Sequence, residues 1–158
     1  MKLLDLIHPK CIIAELQSTD RNGVIRELVG VLATAELIDT ESCGSIAKAI
    51  ITRETRGTTG FGKGVAAPHG KVDGLSRVMA AIGRSSRGID FSSLDGEPVF
   101  GVLLLLSPTE RTEEHLRAMD LIWRLLQQER FRRFLRQSTD AAKIYDLLKE
   151  ADEKLLVS

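Results

Sequence analysis

Neither sign of charge prevails in this sequence: Lys plus Arg and Asp plus Glu each number 22, so the formal charge at neutral pH is zero. Such a chain lacks the electrostatic basis for general nucleic-acid binding or for adsorption to an anionic membrane. Cysteine is nearly absent. Cys11 and Cys43 share no CxxC or metal-ligand spacing, which points to a reducing, cytoplasmic setting. Each is read as a small buried side chain. No apolar run reaches the roughly 20 residues that span a bilayer. Asp5 and His8 interrupt the first apolar stretch, so the N-terminus does not read as a secretory signal. Internal repeats, metal-ligand clusters, a Walker lysine loop and a Ser-His-Asp arrangement are also missing. Nucleotide-driven kinase and hydrolase chemistry therefore rank low, and no cofactor is expected.

What is present suits one domain of 158 residues with a proper core. Ile12-Ile13, within Lys10 to Leu16, form a candidate strand after a turn at His8-Pro9. Ser18, Thr19 or Asp20 offers an N-cap for a helix whose apolar face is Val24, Ile25, Leu28, Val29 and Leu32. A second helix is expected from Asp39 to Ser42 onward, with Ile46, Ala47, Ile50 and Ile51 on one face, ending at Arg53-Glu54. Ser76 to Gly83 reads as a strand, Arg84 to Asp95 as irregular, and Asp95-Gly96 as a turn. Val99 to Leu106 is the most apolar run, without polar alternation, as expected of a strand buried on both faces and stopped at Ser107-Pro108. Thr112 is the expected cap of a third helix, with Leu116, Met119, Ile122, Trp123 and Leu126 inward. Two further helices span Glu129 to Gln137 and Thr139 to Ala151. Strands interleaved with helices predict an α/β layered sandwich, a mixed central sheet with helices on both faces.

The chain is organised around the segment Gly57 to Lys71. Four glycines fall between Gly57 and Gly64, a short apolar run Val65-Ala66-Ala67 follows, and Pro68 then holds the chain extended just before His69. A histidine on a rigid dipeptide, beside glycine and lysine, suits a nucleophile or base; it suits an ordinary surface turn equally well. Between Arg53 and Arg77 five bases (Arg53, Arg56, Lys63, Lys71, Arg77) face two acids (Glu54, Asp73), a local excess of three positive charges in a neutral chain. That excess fits an anionic group or an acidic partner. By position alone Arg53 is a helix-end cation and His115 a helix-surface residue.

The run Glu54-x6-Phe61-Gly62-x2-Val65-Ala66-Ala67-Pro68-His69-Gly70 resembles the active-site pattern of type-2 enzyme IIA domains. These belong to the fructose, mannitol and nitrogen-regulatory branch of the bacterial phosphoenolpyruvate-dependent phosphotransferase system. The later His115-Leu116-x-Ala118 run is also similar, and the likeness covers nearly the whole chain. Ala67 departs from the pattern, which usually has a larger aliphatic residue there.

The resemblance implies that neutral His69 takes a phosphoryl group from phospho-HPr and later passes it to a cysteine of an enzyme IIB. It makes Arg53 a phosphate ligand and sets His115 beside the phosphorylated ring. Loop amides around Thr58, Thr59, Gly60, Gly62 and Gly64 can form an anion nest, while Arg53 and His115 offset developing charge. Two readings stay open: a sugar-importing IIA, or a regulatory module whose phosphorylation state controls a cytosolic target. The second is favoured because the sequence carries no fused HPr, IIB or membrane component. Membrane contact is expected only through a permease or transporter partner.

Overall fold

Ten successive residues of near-complete apolarity leave one strand nowhere to go but the centre. In a computed structural model, which describes residues 1–157, Val99–Pro108 is that central strand, β5. The elements before it are α1 (Leu3–Leu6), β1 (Ile7–Ile13), α2 (Arg21–Thr34), a 3-10 turn (Thr40–Ser42), α3 (Cys43–Arg56), β2 (Val65–Ala66), β3 (His69–Val72) and β4 (Met79–Ile89). Three helices follow β5: α4 (Thr112–Leu126), α5 (Glu129–Gln137) and α6 (Ala141–Val157).

The sheet is mixed, as the sequence predicts. Its order is β1-β4-β5-β2, with β3 also on β5. β1 runs parallel to β4, β4 antiparallel to β5, and both β2 and β3 parallel to β5. Alternation along the strands sorts side chains into two cores. Leu103, Leu105, Ala80 and Ile82 pack with α4, α5 and α6 on one face. Leu104, Leu106, Met79 and Ala81 pack with α2 and α3 on the other. Cys11 is fully buried in the second core, and burial pushes its thiol up to about 11, so it is no nucleophile.

β2 and β3 are one edge line in two pieces. Val65 pairs with Gly101 and His69 with Leu105, the same offset in both segments. Pro68 sits at the interruption, where its missing N–H is tolerated on an edge, and its carbonyl still accepts from Leu105 N at 3.0 Å. His69 is therefore held by sheet pairing, at the first residue of β3.

Several local expectations change. His8-Pro9 lies inside β1, where a register irregularity between Ile7 and Ile12 absorbs it and Lys10 N donates to His8 Nδ1 at 3.0 Å. α3 continues to Arg56, past Arg53-Glu54. β4 runs on through Arg84 to Ile89, because Arg84, 7% exposed, donates to the carbonyls of Ala14 and Arg136 and lies 3.7 Å from Glu15. Asp20 is the cap of α2, accepting from Gly23 N at 2.6 Å. Thr112 is the first residue of α4, and Arg111 occupies the cap position without a side-chain cap bond. The inward face of α4 is also turned: His115, Ala118, Leu121, Ile122, Leu125 and Leu126 are buried, while Leu116 is 62% and Trp123 39% exposed. α6 extends beyond Ala151.

Because Leu104 is fully buried in the core shared with α2 and α3, Leu104→Ala should cost about 2–5 kcal/mol through lost transfer energy and a residual cavity. Urea unfolding should show a lower midpoint with an unchanged slope.

Candidate active site

Three elements meet at His69. The edge strand places its ring, the last turn of α3 brings Arg53, and the first turn of α4 brings His115. Arg53 Nη2 lies 3.0 Å from His69 Nε2, and His69 Nδ1 lies 2.9 Å from the Ala67 carbonyl oxygen. Both contacts dictate the same tautomer. A carbonyl only accepts, so Nδ1 carries the proton; a guanidinium only donates, so Nε2 presents its lone pair. Burial, then the neighbouring Arg53 charge, hold the His69 pKa below its ordinary value, against the raising effect of the Ala67 bond. Both burial and the Arg53 charge favour the neutral ring, whose Nε2 lone pair faces Arg53.

His115 lies with its ring centroid 5.6 Å from that of His69, the planes tilted by 45°. It is buried rather than on the helix surface. Its Nδ1 is 2.6 Å from Ser107 Oγ, at the end of β5. This bond lies on the face of α4 that buries Ala118, Leu121, Ile122, Leu125 and Leu126, an apolar set other than the expected one, and Leu116 and Trp123 lie outside it. Burial, followed by the charges of His69, Lys71 and Arg53, takes the His115 pKa down to about 4. Lys71 Nζ in turn donates to Thr112 Oγ1 at 3.1 Å, tying β3 to the start of α4.

The glycine-rich loop is fastened from beneath by Glu54. This carboxylate is 2% exposed and accepts from Thr59 N at 2.7 Å and Thr59 Oγ1 at 2.9 Å. Thr58 Oγ1 donates to the Phe91 carbonyl at 2.6 Å and accepts from Gly60 N at 3.0 Å. Asp95 Oδ2 accepts from Lys63 N at 2.9 Å. Three loop amides thus have acceptors within the protein. Gly62 and Gly64 take positive φ, +117° and +79°, the conformation that glycine permits. Ala67 is 2% exposed and packs in the core beneath α4.

Of the residues expected at the site, Arg53, His69 and His115 are brought together directly. Thr58, Thr59, Gly60, Gly62 and Gly64 lie in the loop that starts from the same helix end. The sequence reading did not assign Ser107, whose only signal was a polar residue at the end of an apolar strand, nor the buried anchoring of Glu54. Among the described residues there is no group of three or more His, Cys, Asp or Glu placed to hold a metal, and no helix long and apolar enough to cross a membrane.

A neutral imidazole stands between a guanidinium and a second neutral imidazole on the edge of a mixed sheet, an arrangement that suits phosphoryl transfer. Residues 5–151 match the family described as Phosphoenolpyruvate-dependent sugar phosphotransferase system, EIIA 2, and the chain belongs to it. It is 36% identical over 148 residues to a nitrogen regulatory protein of Bradyrhizobium diazoefficiens, covering 94% of this chain and 95% of that one. It is 31% identical over 133 residues to a fructose-specific EIIA component of Haloferax volcanii, covering 84% and 85%. The crystal structure of nitrogen regulatory protein IIA-Ntr from Neisseria meningitidis superposes with a TM-score of 0.80 at 25% identity, covering 91% of this chain and 97% of that one.

The depressed His115 pKa makes stability depend on pH. The unfolded state binds its proton near pH 6.5 and the folded state only near 4, so between these values the unfolded chain holds more protons. Stability contributed by the neutral ring is therefore lost as pH falls through that window. In His115→Asn, urea unfolding at pH 7 and pH 4.5 should show a smaller loss on acidification than in the parent protein.

Proposed function

We propose that the protein is a phosphohistidine carrier in which His69 Nε2 accepts a phosphoryl group from phospho-HPr in the cytoplasm. The observation that carries this is the paired contact at His69: Nδ1 donating to the Ala67 carbonyl at 2.9 Å and Nε2 facing Arg53 at 3.0 Å. The bond from phosphorus to the donor's histidine nitrogen breaks as the bond to Nε2 forms. The released donor ring keeps the electron pair. Nε2 carries no proton, so His69 needs no base. Onward transfer to a cysteine thiolate of an enzyme IIB reverses the roles.

Phosphoryl transfer asks the protein for alignment and charge stabilisation more than for covalent work. Arg53 supplies the charge, its guanidinium moving from the lone pair onto the phosphoryl oxygens. With the Ser107 hydroxyl donating to Nδ1, His115 presents Nε2–H as a second, neutral donor. Thr58, Thr59, Gly60, Gly62 and Gly64 close around the group. Since the amides of Thr59, Gly60 and Lys63 already have acceptors, the loop contributes shape and dipole orientation more than direct bonds.

Incubation with phosphoenolpyruvate, enzyme I and HPr should yield an acid-labile, base-stable phosphate. His69→Ala should abolish it, and continued labelling would remove His69 from the role. Arg53→Ala and His115→Ala should slow transfer by about 10²-fold, the size expected for one charge-stabilising contact. Unchanged rates in both would reduce them to bystanders.

The nitrogen-regulatory reading is preferred, with fructose- or mannitol-type transport as the alternative; the relative with 36% identity carries the preference. Phosphorylation puts roughly two negative charges on a neutral ring. A regulatory protein then needs differential affinity, at least about tenfold, for a cytosolic target between its two forms. Pull-downs with each form from source-cell lysate, followed by titration of the captured protein, measure this. Rapid transfer to a sugar-specific IIB, with no target distinguishing the forms, would restore the transport reading.

A further inference from the structure

On the flank of the glycine-rich loop, between the edge strand and α5, lies a groove of about 620 Å³. Its lining includes Lys63, Gly64, Phe100, Arg132, Arg133 and Arg136. Glu129 is the one acidic residue among the lining groups, so the groove carries a net charge of three positive units. Among the described residues, none of those four cations forms an ion pair with a carboxylate; the ion pair on α5 belongs to Arg130, with Glu150 at 3.2 Å. Like charges gathered without counter-charges repel each other, and an anion relieves that repulsion.

Two of the guanidinium groups are held in place. Arg136 stacks on the Phe100 ring with its central carbon 3.6 Å from the ring centroid. Arg132 Nη1 donates to the Leu126 carbonyl at 2.9 Å, which fixes its planar fork at the end of α4. Groups oriented before binding lose less freedom on binding. Lys63 adds an independent observation. It sits at φ +62° between two glycines that also have positive φ. Glycine would occupy this position without strain, whereas a lysine costs on the order of 1 kcal/mol there. The residue held in this conformation is one of those that line the groove.

We infer that this groove is a binding site for a small molecule carrying at least two phosphate groups. The volume lies within the range of small-molecule sites, and the concave walls fit a compact ligand better than a protein face. Forked donors match phosphate oxygens two at a time. Phe100, Val65 and Leu135 supply an apolar floor beneath the charges. The site is distinct from His69 and holds whether or not that ring is phosphorylated. Because Lys63 and Gly64 belong to both the groove and the loop, occupancy restrains the loop whose other end is fastened to Glu54.

Calorimetric titration of the unphosphorylated protein with inorganic pyrophosphate and with adenosine 5′-diphosphate tests this, with adenosine as the uncharged control. Saturable one-to-one binding below about 1 mM is expected for at least one phosphorylated probe, weakening with added salt. Amide resonances of residues 62–64 and of Arg133 and Arg136 should shift together. Arg133→Gln and Lys63→Gly should each weaken binding about tenfold. Lys63→Gly should do so without lowering Tm, because it also relieves the strained backbone; it keeps the test independent of folding if Arg136→Gln disturbs the Phe100 stack. No saturable binding, binding unchanged in both variants, or shifts centred on Arg53, His69 and His115 would overturn the inference. Binding of a poly-glutamate peptide with no binding of either phosphorylated probe would overturn it in favour of an acidic protein segment.

Discussion

The constraint on which the site depends is the shared register of β2 and β3 against β5. A strand of continuous apolar residues, paired on both edges and packed on both faces, cannot shift without moving two cores. Its partner line is broken only where Pro68 removes one donor, and the offset is the same before and after the break. His69 therefore inherits the rigidity of the sheet centre while standing at the sheet edge, where a partner protein can reach it. For the transfer proposed at His69, a histidine on a free loop would instead have to be ordered each time, with the entropy cost that entails.

Glu54 does for the loop what β5 does for His69. A buried carboxylate is costly unless its oxygens are satisfied, and Thr59 satisfies both, through its amide and its hydroxyl. The adjacent Arg53 points the other way, toward His69. Consecutive residues at one helix end thus face the loop and the His69 ring, so the loop's anchor and the charge beside that ring share one turn of α3.

The fold was legible because its signals are long. The apolar run Val99 to Leu106, the α2 face and the α5 helix each span enough residues for periodicity to decide. The failures lie where tertiary contacts overrule local pattern. Trp123 and Leu116 are apolar and expected inward on α4, but the core buries Ala118, Leu121, Ile122, Leu125 and Leu126 together with His115, and Trp123 lies edge-to-face with Phe61 at 4.6 Å. β4 reaches Ile89 because Arg84 finds two carbonyls, which no window of sequence could display. At the site, Pro68 and the glycines single out the segment but suit a nucleophile and an ordinary surface turn equally, and the likeness of the whole run to a known pattern points to His69. Residue type and position alone placed His115 on a surface, and only the likeness of its run to a known pattern put it beside His69.

The two histidines also explain why their surroundings can be basic without either ring becoming charged. Charge on His69 disfavours a proton on His115, and Arg53 opposes a proton on either ring. Burial adds the same sign at each ring. The consequence is a site whose fixed charge is positive while the His69 ring stays neutral. For the transfer proposed at His69, positive charge attracts the donor's phosphoryl oxygens, and neutrality keeps the lone pair available. An imidazolium at position 69 would supply more positive charge and no nucleophile. Arg53 supplies that charge from outside the ring, and so leaves the His69 lone pair free for the transfer proposed.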